Sequence, residues 1–187
     1  AAASFSMESP PKAFSAAQRR RGGVPTVLAT VGTTKFEALV DALDTERVQK
    51  ALRARGYGKL LVQRGKSSRT PCQRTQGLTV EVYQYKASMA EDMASSDLII
   101  SHAGAGSVME ALRAGKALIV VANEVLMDNH QVELANAMQQ KGYLSQATPS
   151  NLDSVIQSTD WSTKVPLPPL DFSPLRGEIE GMLGARA

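Results

Sequence analysis

Leu98-Ile99-Ile100-Ser101-His102-Ala103-Gly104-Ala105-Gly106-Ser107-Val108-Met109-Glu110-Ala111-Leu112 is the stretch that decides the fold. A short apolar run of strand length gives way to a turn holding two glycines, and Val108, Met109, Ala111 and Leu112 then continue at helical spacing until Gly115. A buried strand feeding straight into a helix is the repeating unit of a parallel sheet, whose strands need crossovers to return the chain.

The unit recurs in both directions. Upstream, Thr26 to Val31 reads as a strand ending in Gly32-Thr33-Thr34, after which Phe36, Leu39, Val40 and Leu43 recur at helical spacing. A second helical stretch runs from about Thr45 to Arg55 and stops at Gly56. Lys59 to Gln63 is the next strand, residues 65–76 a polar loop, Leu78 to Tyr85 an alternating β-rich run, and Met89 to Ser95 one short helix.

Downstream, Ala117 to Val121 is another buried strand. The polar segment Asn123 to Gln131 leads into a helix through Val132, Leu134, Ala135 and Met138, with Gly142 beyond its end. A short strand and a helix starting after Ser150 are expected within residues 143–160. Val165 to Pro174 is proline-rich and extended, and Leu175 to Leu183 reads as a closing helix. The expected class is α/β, a Rossmann-like, mainly parallel sheet flanked by helices. Residues 26–160 form the domain, residues 161–187 an extension with a terminal helix, and residues 1–25, with Pro10, Pro11, Gly22, Gly23 and Pro25, a flexible leader.

Composition narrows the function classes. The 187 residues can bury a core without staples, and 43% apolar with 21% charged residues is ordinary for a globular domain. The net charge of +3 sits in the leader, where Lys12, Arg19, Arg20 and Arg21 face Glu8 alone. The remaining chain is balanced, so no nucleic-acid partner is expected. Ala, Ser and the Arg run give the leader some transit-peptide character, but it lacks a clear apolar signal segment. Cys72 is the single cysteine and is read as an inert thiol, compatible with a cytosolic setting. No stretch reaches the roughly 18 to 20 apolar residues that span a bilayer.

In parallel α/β sheets ligands bind outside the carboxyl ends of the strands, so the turns after Val31, Ser101 and Val121 are expected to face one crevice. Gly104 and Gly106, with Ala105 between them, let a backbone approach a ligand, and the helix that follows offers unpaired N–H groups suited to a diphosphate. Ser107 reads equally well as a ligand or as the cap of that helix, and Thr33 or Thr34 serves the same two roles at the first turn. Glu110, one helical turn beyond Gly106, can reach back to accept from paired ribose hydroxyls; otherwise it is a solvated helix residue. Asp128, Asn129, His130 and Gln131 offer more polar groups than one helix cap requires.

The glycines lack the spacing of a dinucleotide fingerprint, and neither a P-loop nor a nucleophile elbow is present. His102 and His130 are the two histidines; without a cysteine or clear carboxylate beside them they favour hydrogen bonding over zinc. No metal or cofactor is expected, because helix dipoles and backbone donors can stabilise a leaving nucleotide.

Three motifs carry a family resemblance: Val31-Gly32-Thr33-Thr34-x-Phe36, Ile100-Ser101-His102-Ala103-Gly104-Ala105-Gly106-Ser107-Val108-x-Glu110, and Leu126-Met127-Asp128-Asn129-His130-Gln131-x-Glu133-Leu134-Ala135. They resemble the catalytic subunit of the bipartite dolichol-pathway UDP-N-acetylglucosamine transferase, itself similar to the C-terminal, donor-binding half of MurG-type GT-B glycosyltransferases. The resemblance covers residues 26–160. It implies transfer of N-acetylglucosamine from UDP-N-acetylglucosamine to dolichyl-diphosphate-N-acetylglucosamine, at the cytosolic face of the endoplasmic reticulum, with a membrane-anchored partner subunit supplying the acceptor half.

By the same resemblance, Gly32 to Thr34 and Gly104 to Ser107 would face the diphosphate, Glu110 the ribose, and His130 and Gln131 the sugar. The main chain around Tyr85 and Lys86 would read the uracil edge. An acceptor domain and its general base are expected in the partner, which leaves His102 as the local candidate base. On this reading the chain alone is inactive, and Leu175, Ile179, Met182 and Leu183 form a candidate docking face. The competing class is a regulatory module that binds a nucleotide sugar without chemistry.

Overall fold

The computed structural model describes residues 23–122 and 129–167. Among them, six strands form one parallel sheet: β1 (Thr26–Thr30), β2 (Lys59–Gln63), β3 (Thr79–Tyr83), β4 (Leu98–His102), β5 (Ala117–Val121) and β6 (Ser145–Ala147). Their order is β3-β2-β1-β4-β5-β6. Between β1 and β2 lie α1 (Glu37–Leu43) and α2 (Glu46–Ala54); α3 (Ala90–Ser95), α4 (Ala105–Arg113) and α5 (Asn129–Gln140) precede β4, β5 and β6, and α6 (Leu152–Ser158) follows.

The two-residue period of the strands divides the apolar side chains between two cores. Val27, Ala29, Leu60, Val62, Leu98, Ile100, Ile119 and Val121 pack with residues of α1, α2 and α6. Leu28, Leu61, Ile99, Leu118 and Val120 pack with residues of α3, α4 and α5. Strands covered on both faces must be apolar at nearly every position, which explains the continuous runs in β4 and β5. β3 at the sheet edge is only half covered, so Thr79 and Glu81 stay exposed, and Lys59 pairs with Glu81 at 2.8 Å.

The first strand ends one residue before Val31, and β4 runs one residue past Ser101 to include His102. Residues 161–167 remain against the domain body. Trp161 packs on the first core and Leu167 on the second, and the Val165 N–H donates to the Gly142 carbonyl at 3.1 Å. The leader through residue 22, the segment 123–128 and the expected helix at Leu175 to Leu183 lie outside the described residues.

No helix intervenes between β2 and β3, so the long polar loop after β2 must be held by side chains. Gln49 on α2 is fully buried; its amide donates to the Leu43 carbonyl at 3.0 Å and the Cys72 carbonyl at 2.8 Å, and accepts from the Arg74 N–H at 2.7 Å. Asp44 accepts from the Cys72 N–H at 2.8 Å and pairs with Arg74 at 2.8 Å, and the Arg74 bond leads the effects that hold its carboxyl below the usual range.

Glu37 anchors the start of the same loop, accepting from the Ser68 N–H at 2.9 Å, the Ser68 hydroxyl at 2.8 Å and the Arg69 N–H at 3.4 Å. The Ser68 backbone bond is the main reason its pKa falls from 4.5 to about 2. A carboxylate depressed by folding contributes stability that is complete above its unfolded pKa and is lost as pH falls through its folded value. Glu37→Gln is therefore expected to be less stable at neutral pH, with the difference shrinking as pH falls from 4.5 to about 2. Denaturation midpoints measured across that window check this; a constant difference down to the acid end counts against the anchoring role.

Candidate functional site

Sheet order reverses between β1 and β4: from β1 the chain builds outward to β2 and β3, and from β4 to β5 and β6. The two loops leaving adjacent strands in opposite directions open a crevice at their carboxyl ends. It has a volume of about 460 Å³ and takes its walls from three turns and one strand end.

The β4–α4 turn contributes His102, Gly104, Gly106, Ser107 and Glu110. Gly104 occupies the N-cap position of α4 with extended backbone and no side-chain cap, so the first-turn N–H groups are left for a ligand. Ser107 lies inside that first turn and is therefore not the cap. Glu110 is exposed on the second turn and lines the same crevice.

The two glycines differ in what they make room for. A β-carbon on Gly106 would meet no heavy atom within 4 Å, so this position faces open crevice. A β-carbon on Gly104 would lie 2.4 Å from His102 Nε2, and one on Gly32 would lie 2.5 Å from His102 Cε1. Gly32 also has φ +64°, which a side chain resists. The imidazole of His102 is thus held between two bare backbones. Burial is the larger influence on it and lowers its pKa below 6.5, opposed by the nearby Thr30 main chain. A neutral imidazole can accept a proton or donate a hydrogen bond.

The β1 turn contributes Gly32 and the exposed Thr33. Thr34 and Ala105 do not line the crevice, and the Thr34 hydroxyl donates to the Val31 carbonyl at 2.8 Å. Neither threonine caps α1, which starts after Phe36 without a side-chain cap.

The turn after β3 supplies the wall from Tyr85 to Met89. Tyr85 is among the exposed large side chains, at 45%. Lys86 does not extend freely: its Nζ bonds both Asp92 oxygens, at 2.7 and 2.8 Å, and sits 4.5 Å from the Tyr83 ring centroid. The Tyr83 hydroxyl donates to Asp92 at 2.6 Å. Burial of Asp92 would raise its pKa, but the bonds from Lys86 and Tyr83 outweigh it and hold the carboxyl low; burial first, then Asp92, pushes the Tyr83 phenol up. α3 thereby staples the turn that forms this wall.

Gln63, Ala87, Ser88 and Met89 line the crevice without having been singled out by sequence. The one available signal was Gln63 itself, a polar residue closing an apolar strand. Asp128 lies outside the described residues, as do the side chains of Asn129, His130 and Gln131, although α5 begins at Asn129. Among the described residues, no helix is long and apolar enough to cross a membrane.

The glycosyltransferase family 28 C-terminal domain matches residues 26–166. The UDP-N-acetylglucosamine transferase subunit ALG13 of Mus musculus is 46% identical over 120 residues, covering 64% of this chain but 10% of that protein. The protein of the same name from Eremothecium gossypii is 32% identical over 177 residues, covering 79% of this chain and 87% of that protein. This chain thus spans about a tenth of the mammalian relatives and most of the fungal one.

Among solved structures, the NMR structure of ALG13 aligns with a TM-score of 0.62 at 23% identity, covering 83% of this chain and 94% of that one. MurG from Acinetobacter baumannii aligns with a TM-score of 0.55 at 24% identity, covering 73% of this chain and 40% of that one. These structural likenesses speak to the fold.

Proposed function

The chain belongs to the glycosyltransferase family 28 C-terminal domain family, and from that premise we propose that its crevice binds UDP-N-acetylglucosamine and presents it for glycosyl transfer. The observation that carries this reading is the uncapped N-terminus of α4 beside the open face of Gly106, at the point where sheet order reverses. Free N–H groups and the positive end of the helix suit a diphosphate, and remain to stabilise it as UDP departs. The relatives' name, UDP-N-acetylglucosamine transferase subunit, supports both the donor and the need for a partner.

In this reading Gly32, Thr33, Gly104, Gly106 and Ser107 surround the diphosphate, with Thr34 and Ala105 shaping the two turns from behind. Glu110 accepts from the ribose hydroxyls, the main chain at Tyr85 and Lys86 reads the base, and Asp128, Asn129, His130 and Gln131 hold the sugar. His102, kept neutral by burial, is the local candidate to take the acceptor proton as the bond from the sugar to the β-phosphate breaks and the new glycosidic bond forms. The acceptor is dolichyl-diphosphate-N-acetylglucosamine, held by a membrane-anchored partner at the cytosolic face of the endoplasmic reticulum.

The deciding experiment measures transfer from radiolabelled UDP-N-acetylglucosamine to dolichyl-diphosphate-N-acetylglucosamine, with and without the membrane-anchored subunit. Transfer is expected only with both proteins present. Efficient transfer by the isolated chain would overturn the need for a partner; donor binding without transfer in the complex would favour a regulatory module.

Glu110→Ala is expected to weaken donor binding by about 1 to 3 kcal/mol, the scale of hydrogen bonds to a charged acceptor, while the fold stays intact. Titration calorimetry on the folded variant checks it. Unchanged affinity would return Glu110 to the class of solvated helix residues.

A further inference from the structure

Gln63 ends β2 at the floor of the crevice and is 2% exposed. Its amide nitrogen donates to the Gly32 carbonyl at 2.8 Å and to the Gln84 carbonyl at 3.0 Å. Its oxygen accepts from the Thr30 hydroxyl at 2.5 Å, and that hydroxyl oxygen accepts in turn from the Gly32 N–H at 3.0 Å. One side chain therefore ties together the ends of β1, β2 and β3. Both amide hydrogens are consumed by main-chain carbonyls, so Gln63 has no donor left for a ligand. Its effect on the crevice passes through the turns it holds.

We propose that Gln63 is a positioning residue that sets the separation between the Gly32 turn and the turn beginning at Gln84. This rests on the donor-site reading, in which the first turn meets the diphosphate and the second meets the base. A ligand that spans both turns needs their spacing; a ligand that touches one does not. In a close-packed interior a small shift of either turn is not absorbed by neighbours, so the bridging ligand alone is penalised.

The test compares three probes, UDP, uridine and inorganic diphosphate, on wild type and Gln63→Met, which keeps the side-chain length and removes the hydrogen bonds. UDP affinity is expected to fall about tenfold, the scale of one to two lost hydrogen bonds, with uridine and diphosphate each within about twofold of wild type. Binding is followed by titration calorimetry for UDP and by amide chemical-shift changes for the weaker probes. An equal fall for all three probes means that Gln63 merely supports the fold, and no change in any means that the joint is idle; either overturns the proposal. Should Gln63→Met fail to fold, Gln63→Leu carries the same comparison, because it too is apolar and lacks both donors to the Gly32 and Gln84 carbonyls. Wild type that binds none of the three would instead strike at the donor-site reading itself.

Discussion

Gly106→Val is expected to lower UDP-N-acetylglucosamine affinity by at least about a hundredfold, roughly 2.7 kcal/mol, with little change in thermal stability. The position on α4 faces open crevice, so a branched side chain fits the folded protein without a clash. It fills the space where a diphosphate would meet the first-turn N–H groups. Valine also costs a helix no more than glycine does, the difference being a few tenths of a kcal/mol in its favour. Gly104→Val is the instructive contrast, since its β-carbon would strike His102 Nε2 and disturb the fold along with the site. Calorimetry with UDP and a thermal melt on both variants separates the cases. Near-normal UDP binding by folded Gly106→Val would remove the diphosphate from this helix end.

His102→Gln, assayed in complex with the acceptor-binding partner, is expected to lose turnover by roughly 10²- to 10⁴-fold, the range of general base catalysis, while UDP affinity changes little. The pH dependence follows from the sign of the shift. Burial lowers the His102 pKa below 6.5, so wild-type turnover should rise as pH climbs through a value on the acid side of 6.5, and the variant should lack that limb. Stability carries the same signature: the unfolded chain takes up the His102 proton first, so wild type loses stability as pH falls through 6.5, and His102→Gln does not share that loss. Turnover preserved in the variant would assign the base to the partner and leave His102 as the packing between two glycine turns.

Much of the architecture was legible because the strands are short and bounded by glycines. Ala117–Val121 and Lys59–Gln63 emerge with the bounds read from sequence, since strands buried on both faces admit few polar residues. The crevice was legible for a similar reason: Gly104, Gly106 and Gly32 mark turns on adjacent strands. What escaped was every feature that depends on a buried amide. Gln49 and Gln63 look like surface polar residues in a linear sequence, yet each satisfies main-chain groups brought together from distant segments. In a linear sequence Gly104 reads as room for a ligand, whereas its missing side chain first makes room for His102. The wall formed by Ser88 and Met89 carries no motif and depends on how α3 staples its turn.

The position of β1 has a consequence for how the chain reaches this state. Its two neighbours are β2, aligned Thr26 with Lys59, and β4, aligned Val27 with Leu98, and the Thr26 N–H also waits on the Asp97 carboxylate at 2.8 Å. β1 thus gains its second neighbour only across the longest separation of any strand pair in the sheet. Until Leu98 to Ser101 have emerged, Val27, Leu28 and Ala29 present an unpaired, wholly apolar edge, and the contact that closes it spans some seventy residues. Closing so long a loop costs entropy before any pairing repays it, which makes assembly of the β1–β4 seam the slow, aggregation-exposed stage of folding. The seam of longest range is also the one whose ends open the crevice, so a chain halted upstream of Asp97 would hold neither a finished core nor a site.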